Sequence, residues 1–134
     1  MEQRVEKILH PLGFEAGSDY CLRYTLGLAR KHQAKLVLLH IINRSRPSVN
    51  LLFNLTLSAE EKEKFRNSQR DYAARRIRFD VDRLCLHDFG LDAKIDEILE
   101  AIIIEEGWPG DVIVAKAREY GCDAICIGTQ TAQP

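Results

Sequence analysis

The sequence has 134 residues, 46% of them apolar and 29% charged, which is enough chain for one packed core and too apolar for a disordered one. Lysine and arginine number 19 against 20 aspartates and glutamates, a formal charge of −1, so no global positive field exists to draw in a nucleic-acid backbone. Apolar runs such as Leu36 to Ile42 fall far short of the roughly 20 residues a membrane-spanning helix needs, and Met1 to Lys7 leads into no secretory-type apolar segment. A single cytoplasmic domain over residues 1–134 is expected. Cys21, Cys85, Cys122 and Cys126 form no CxxC pair and read as inert thiols rather than zinc ligands or disulfide partners.

Val5 to Leu12 mixes apolar residues and breaks at Pro11-Leu12-Gly13, predicting a first strand and a loop. Ser18 is the predicted N-cap of a helix whose Leu22, Leu26 and Ala29 recur at helical spacing, ending near Gln33. Ala34 to Ile42 is continuously apolar, the pattern of a strand covered on both faces. Asn43 to Leu57 follows no period and is expected to be a long connection, its Leu51-Leu52-Phe53 patch suited to docking on a partner.

Ser58 and Glu61 spell a capping box, and Glu60 with Lys64 adds an i,i+4 ion pair. The helix they start carries one apolar stripe of Phe65, Tyr72, Phe79 and Leu86 and another of Ala73, Ile77, Val81 and Leu84. The two stripes are read together as one broad face running to about His87, with Gly90 as the stop. Asp92 to Glu100 fits either a helical turn or the entry to a third strand, expected at Ala101 to Glu106. Pro109, then Ile113, Ala117 and Tyr120, then Gly121 mark a short helix at both ends. Asp123 to Gly128 is expected to be a fourth, buried strand.

Strands alternating with helices imply right-handed crossovers and a parallel sheet, the α/β class. Ligands in such sheets sit beyond the carboxyl ends of the strands where strand order reverses, so the loops after the first and fourth strands are the places to look.

Three stretches resemble the universal stress protein family: Lys7-Ile-Leu-His-Pro-Leu-Gly-Phe, the helix and strand from Ser18 through Ile42, and Glu106-Gly-Trp-Pro-Gly followed by Asp123-Ala-Ile-Cys-Ile-Gly-Thr. The resemblance covers nearly the whole chain except the variable middle. It implies a Rossmann-like three-layer sandwich with a mainly parallel sheet, of the adenine nucleotide alpha hydrolase-like kind, usually dimeric. Members of the family either bind ATP or do not. Those that do use an Asp ending strand one, an apolar residue ending strand two, and a G-x-x-G stretch after strand four followed by a Gly and a Ser or Thr.

The matching positions in the present sequence are Gly13, Ile41 or Ile42, and Gly128 with Thr129, Gln130 and Thr131, and the resemblance implies Pro11, Leu12, Gly13, Ile41, Gly128, Thr129 and Gln130 as the candidate nucleotide-binding residues. Gly13 replaces the Asp and Thr131 the second Gly. A phosphate loop needs consecutive backbone N–H groups converging on the anion, which Gly128 alone does not supply. The expectation is therefore a stress-response module that is non-enzymatic, acts through self-association or partner binding, and has weak or lost affinity for ATP with Mg²⁺. The alternative is an ATP-binding member whose remaining phosphate contacts come from beyond Pro134 or from another subunit. The family's fifth strand and last helix have no counterpart in the sequence, so the domain reads as truncated and Ala124 to Ile127 as an open edge, suited to a homodimer or higher homo-oligomer.

The remaining polar clusters read as structural. His10, His32, His40 and His87 are the only histidines, and His10 and His40 fall in strands, where an imidazole finds a backbone partner. Glu105, Glu106 and Asp111 fit solvated element ends better than a metal or acid–base site. Arg70, Arg75, Arg76, Arg78 and Arg83 alternate with Asp71, Asp80 and Asp82 as an ion-paired face. Trp108 is expected on the ligand side of the sheet, either stacking on a flat ring or plugging the core. Gly17-Ser18-Asp19 resembles the loop of ATP pyrophosphatases but lacks their Ser-Gly-Gly nest, and no catalytic motif emerges.

Overall fold

The structure, a computed structural model, describes residues 4–42, 55–90 and 94–128. Strand β1 (Lys7–Pro11) leads to helix α1 (Ser18–His32), β2 (Lys35–Ile42), a long helix α2 (Ala59–Phe89), a single turn α3 (Ile95–Ile98), β3 (Leu99–Glu106), α4 (Pro109–Tyr120) and β4 (Ala124–Ile125). The strands form one sheet in the order β3-β2-β1-β4, and every pairing is parallel. Among the described residues no helix is long and apolar enough to cross a membrane.

The apolar run of β2 is explained by its place inside the sheet. Leu36 and Leu38 join Ile8 of β1 on the face covered by Leu22, Leu26 and Ala29 of α1 and Ile77, Val81 and Leu84 of α2. Val37 and Leu39 join Leu9 and Ile103 on the opposite face, against Ile113, Ala117 and Tyr120 of α4. With water excluded from both faces, alternation has no polar side to serve. The second layer is thinner, for no residue of α4 is fully buried.

Local signals place the helix ends with one exception. Ser58 accepts the Glu61 N–H and Glu61 returns the bond, completing the capping box, while Gly90 ends α2 at φ 80°. The start of α1 differs from expectation: the cap is Gly17, at φ 91°, and Ser18 is already helical with no capping bond from a side chain. The left-handed backbone needed there suits glycine and disfavours serine. Asp92 to Glu100 contains both expected forms in succession, since α3 is a helical turn and β3 begins directly at Leu99; residues 91–93 lie outside the described residues.

Two further expectations are corrected. The broad face of α2 is in fact two faces. Ala73, Ile77, Val81 and Leu84 are buried, whereas Phe65, Tyr72, Phe79 and Leu86 are exposed. At about 100° per residue the stripes lie more than 100° apart around the helix, so one sheet cannot cover both. The fourth strand is shorter and less buried than expected: regular pairing spans Ala124–Ile125, and Ile125 and Ile127 are 42% and 57% exposed. As the sheet's edge strand, β4 presses Ala124 and Cys126 into the α1-side core and leaves its other face open among the described elements. The Leu51-Leu52-Phe53 patch lies outside the described residues.

Candidate functional site

β2 and β3 are laid down on one side of β1, and the chain then crosses to place β4 on the other. Strand order reverses between β1 and β4, and the loops leaving those strands part to leave a crevice. It is lined by His10, Pro11, Leu12 and Gly13 from the end of β1, Glu15, Gly17, Ser18 and Cys21 from the entry to α1, and Gly128 beyond β4. The crevice is held by backbone bonds on both sides, Leu12 N–H to the Leu39 carbonyl and Cys126 N–H to the Leu9 carbonyl, each 2.9 Å. The Asp123 carboxylate ties the start of β4 to β1 by accepting the Glu6 and Lys7 N–H groups at 2.8 and 2.9 Å.

At the crevice's inner end His10 is 1% exposed. Its Nδ1 lies 2.7 Å from the Cys126 carbonyl, which can only accept, so Nδ1 carries the proton and Nε2 is left as a bare acceptor. That Nε2 is buried without a hydrogen-bond partner. Burial lowers the imidazole pKa, with the Cys126 carbonyl opposing the shift, and the ring is held neutral. Beside it the Thr25 hydroxyl sits 2.9 Å from the Cys21 carbonyl and 3.1 Å from Cys126 Sγ.

Two glycines mark close approaches. A Cβ at Gly128 would come within 2.9 Å of Cys21 Cβ, so only a residue without a side chain lets β4's end lie against α1. A Cβ at Gly13 would meet the Glu15 side chain, with Cδ at 2.7 Å. The Glu15 carboxylate is thus folded back onto Gly13, and the described lining residues include no lysine or arginine to offset it. The crevice offers about 40 Å³ of free space, room for a few waters and well short of a purine.

Of the residues singled out in the sequence, Pro11, Leu12, Gly13 and Gly128 come together here. Ile41 does not. It lines a separate groove with Phe14, His40, Ile42, Gln69, Tyr72 and Ala73, because Phe14 stacks on His40 at 4.5 Å and the His40 ring is tied to the Leu12 carbonyl at 2.9 Å. Thr129 and Gln130 lie outside the described residues. Trp108 is corrected: at 65% exposed it plugs no core, and it follows β3, the outer strand farthest from the crevice. Glu105 pairs with Lys116 at 3.7 Å and Glu106 with Arg66 at 4.0 Å, and the described residues hold no cluster able to grip a metal. Arg78 and Arg83 are ion-paired to Asp96, Asp82, Asp19 and Asp80.

Sequence reasoning missed the crevice roles of His10, Glu15 and Cys21. The strand position of His10 announced only its backbone bond. The one available signal for Glu15 was its place two residues after Gly13 in a turn, where the Glu15 carbonyl accepts the Ser18 N–H at 3.2 Å.

A parallel sheet with helices on both faces and a crevice at the strand-order reversal defines a Rossmann-like α/β sandwich. Residues 4–133 match the universal stress protein family, and the chain belongs to it. In fold it is similar to the universal stress protein UspA from Lactobacillus plantarum, at 19% identity and TM-score 0.66, covering 99% of this chain and 83% of that one. It is also similar to a protein of the same family from Burkholderia pseudomallei, at 18% identity and TM-score 0.53, covering 93% and 82% of the two chains. A universal stress protein solved in complex with cAMP is similar at 12% identity and TM-score 0.53, over 92% of this chain and 72% of that one. No curated protein sequence matches significantly.

Proposed function

We propose that this chain is a single universal-stress-protein domain that acts without catalysis, through self-association or partner binding, and has weak or lost affinity for ATP. The observation that carries this reading is the Glu15 carboxylate folded onto Gly13 inside the crevice. A phosphate entering there meets a like charge. Each such pair at 4 Å costs between about 1 kcal/mol in water and about 4 kcal/mol near a protein surface, so one such contact penalises a triphosphate by about fivefold to nearly a thousandfold. The exposed Ile125 and Ile127 on the edge strand favour association, since an apolar sheet edge is a template for pairing.

A second reading, nucleotide binding at the same crevice, draws support from the relative in complex with cAMP and from the bare His10 Nε2, which suits a hydroxyl or amine donor. Titration of the full chain with MgATP and, separately, cAMP, followed by melting temperature, decides between them. The proposal expects no saturable rise with MgATP for the parent and the appearance or at least tenfold tightening of binding in Glu15→Gln. A saturable rise in the parent, about 2.7 kcal/mol of stabilisation at a hundredfold excess over Kd, refutes weak ATP binding and establishes the second reading.

A further inference from the structure

Phe65, Tyr72, Phe79 and Leu86 recur every seven residues along α2 and are 44%, 57%, 65% and 55% exposed. Seven residues fall about 20° short of two full turns, so the four side chains form one band about 60° wide and about 32 Å long. Side chains of this size, half exposed, leave roughly 100 Å² each in water, about 400 Å² of apolar surface aligned along one side of the helix.

We propose that this outward face of α2 is a homodimer interface, on which α2 of a second copy packs antiparallel about a two-fold axis passing at Tyr72. This gives the self-association part of the proposed function a surface, and it is independent of the nucleotide part. The charges beside the stripe carry the choice of occupant. In this arrangement each residue faces the one as far beyond Tyr72 as it lies before it, so Phe65 meets Phe79 of the second copy and Tyr72 meets its own counterpart. Lys64 and Asp82 both lie about 80° to one side of the stripe, Lys62 and Asp80 about 80° to the other, and Glu61 and Arg83 within about 20° of it.

An isologous interface brings like flank against like flank. Lys64 therefore comes opposite Asp82 and Lys62 opposite Asp80, each about 3 Å along the helix from exact register, and Glu61 comes opposite Arg83, each pair twice by symmetry, while Arg75 and Arg76 come opposite the neutral Ser68 and Gln69. Moving the axis halfway to Phe79 sets Arg75 and Arg76 each against its own copy, and a parallel pair, which brings unlike flanks together, sets Arg75 against Arg76. Lys64 and Asp82 have exposed in-chain partners, Glu60 at 3.6 Å and Arg78 at 3.1 Å, weak enough to be exchanged, whereas Arg83 is held by Asp19 at 2.9 Å and Asp80 at 3.3 Å and Glu61 by the Ser58 N–H, so the Lys64–Asp82 pair carries the choice. The stripe supplies about half of the ~800 Å² per partner of a standard-size interface, and the flanks have to supply the rest.

Sedimentation velocity on the full chain tests this with two charge-reversed variants, each folded by the criterion of an unchanged circular dichroism spectrum. Lys64→Asp and Asp82→Lys should each weaken the dimer at least tenfold, because each sets like charges opposite one another twice. An equimolar mixture of the two should regain the parent's dimer affinity, since every flank position then meets its opposite. Restoration on mixing cannot come from damaged folding. Variants that dimerise as the parent does, or a mixture that stays monomeric, overturn the interface. If Ile127→Asp dissolves the dimer and the α2 variants do not, the interface is overturned while self-association through the β4 edge stands. A parent that is monomeric up to about 200 µM, the weak end of specific association, overturns both.

Discussion

Replacing Gly128 with alanine should destabilise the protein by about 1–3 kcal/mol, the range for forcing a methyl into a packed contact. The new Cβ would sit 2.9 Å from Cys21 Cβ and closer still to Sγ. Turning the Cys21 side chain moves the sulfur but leaves Cβ, which is fixed to the backbone of α1. The end of β4 must therefore retreat by about half an ångström to reach ordinary contact. That retreat pulls on Cys126, whose N–H is bonded to the Leu9 carbonyl at 2.9 Å and whose own carbonyl holds His10 at 2.7 Å. For a chain of 134 residues the loss corresponds to about 4 °C in Tm per kcal/mol. The assay is urea denaturation of the parent, Gly128→Ala, Cys21→Ala and the double variant. Cys21→Ala removes the sulfur and leaves the Cβ contact, so the cost of the alanine should fall by about half, with a coupling energy above about 0.5 kcal/mol. A Gly128→Ala variant as stable as its reference in both backgrounds would show that Gly128 does not lie against Cys21, and the crevice geometry described above would be wrong.

The pH dependence of stability should report His10. Burial holds its pKa below the ordinary value, so as pH falls through about 6.5 the unfolded chain takes up a proton that the folded chain refuses. The contribution is fully present above that pH and is lost below it, with a slope of at most about 1.4 kcal/mol per pH unit. His10→Asn, which keeps a donor for the Cys126 carbonyl and does not titrate, should flatten this part of the curve; an unchanged slope refutes the assignment. Ser58→Ala removes the side-chain acceptor of the capping box and should cost about 1 kcal/mol, or about 0.5–2 across known caps. A Tm equal to the parent's would mean that the first turn of α2 frays without consequence for the core.

The order and type of the elements were written in local sequence, and so was the family. Leu36 to Leu39 lack alternation because both faces of β2 are dry, and the Ser58–Glu61 box starts α2 while the positive-φ glycines Gly90 and Gly121 end their helices, through bonds made within a few residues. Such signals are legible because their energies depend on near neighbours in the chain. What only the tertiary structure decided involves partners far apart in sequence. The burial of Val81 and the exposure of Phe79 follow from which side of α2 the sheet happens to cover. β4 became an edge strand because the crossover from β3 carried it past β1. Ile41 fell outside the crevice when Phe14 stacked on His40, and Glu15 entered it when the turn before α1 folded its carboxylate onto Gly13. His10 shows both levels in one residue. Its strand position was readable from the sequence, whereas the bare Nε2 exists because Cys126, 116 residues away, engages only the other nitrogen. Periodicity states what a segment wants to bury, and only packing between distant segments determines what it meets.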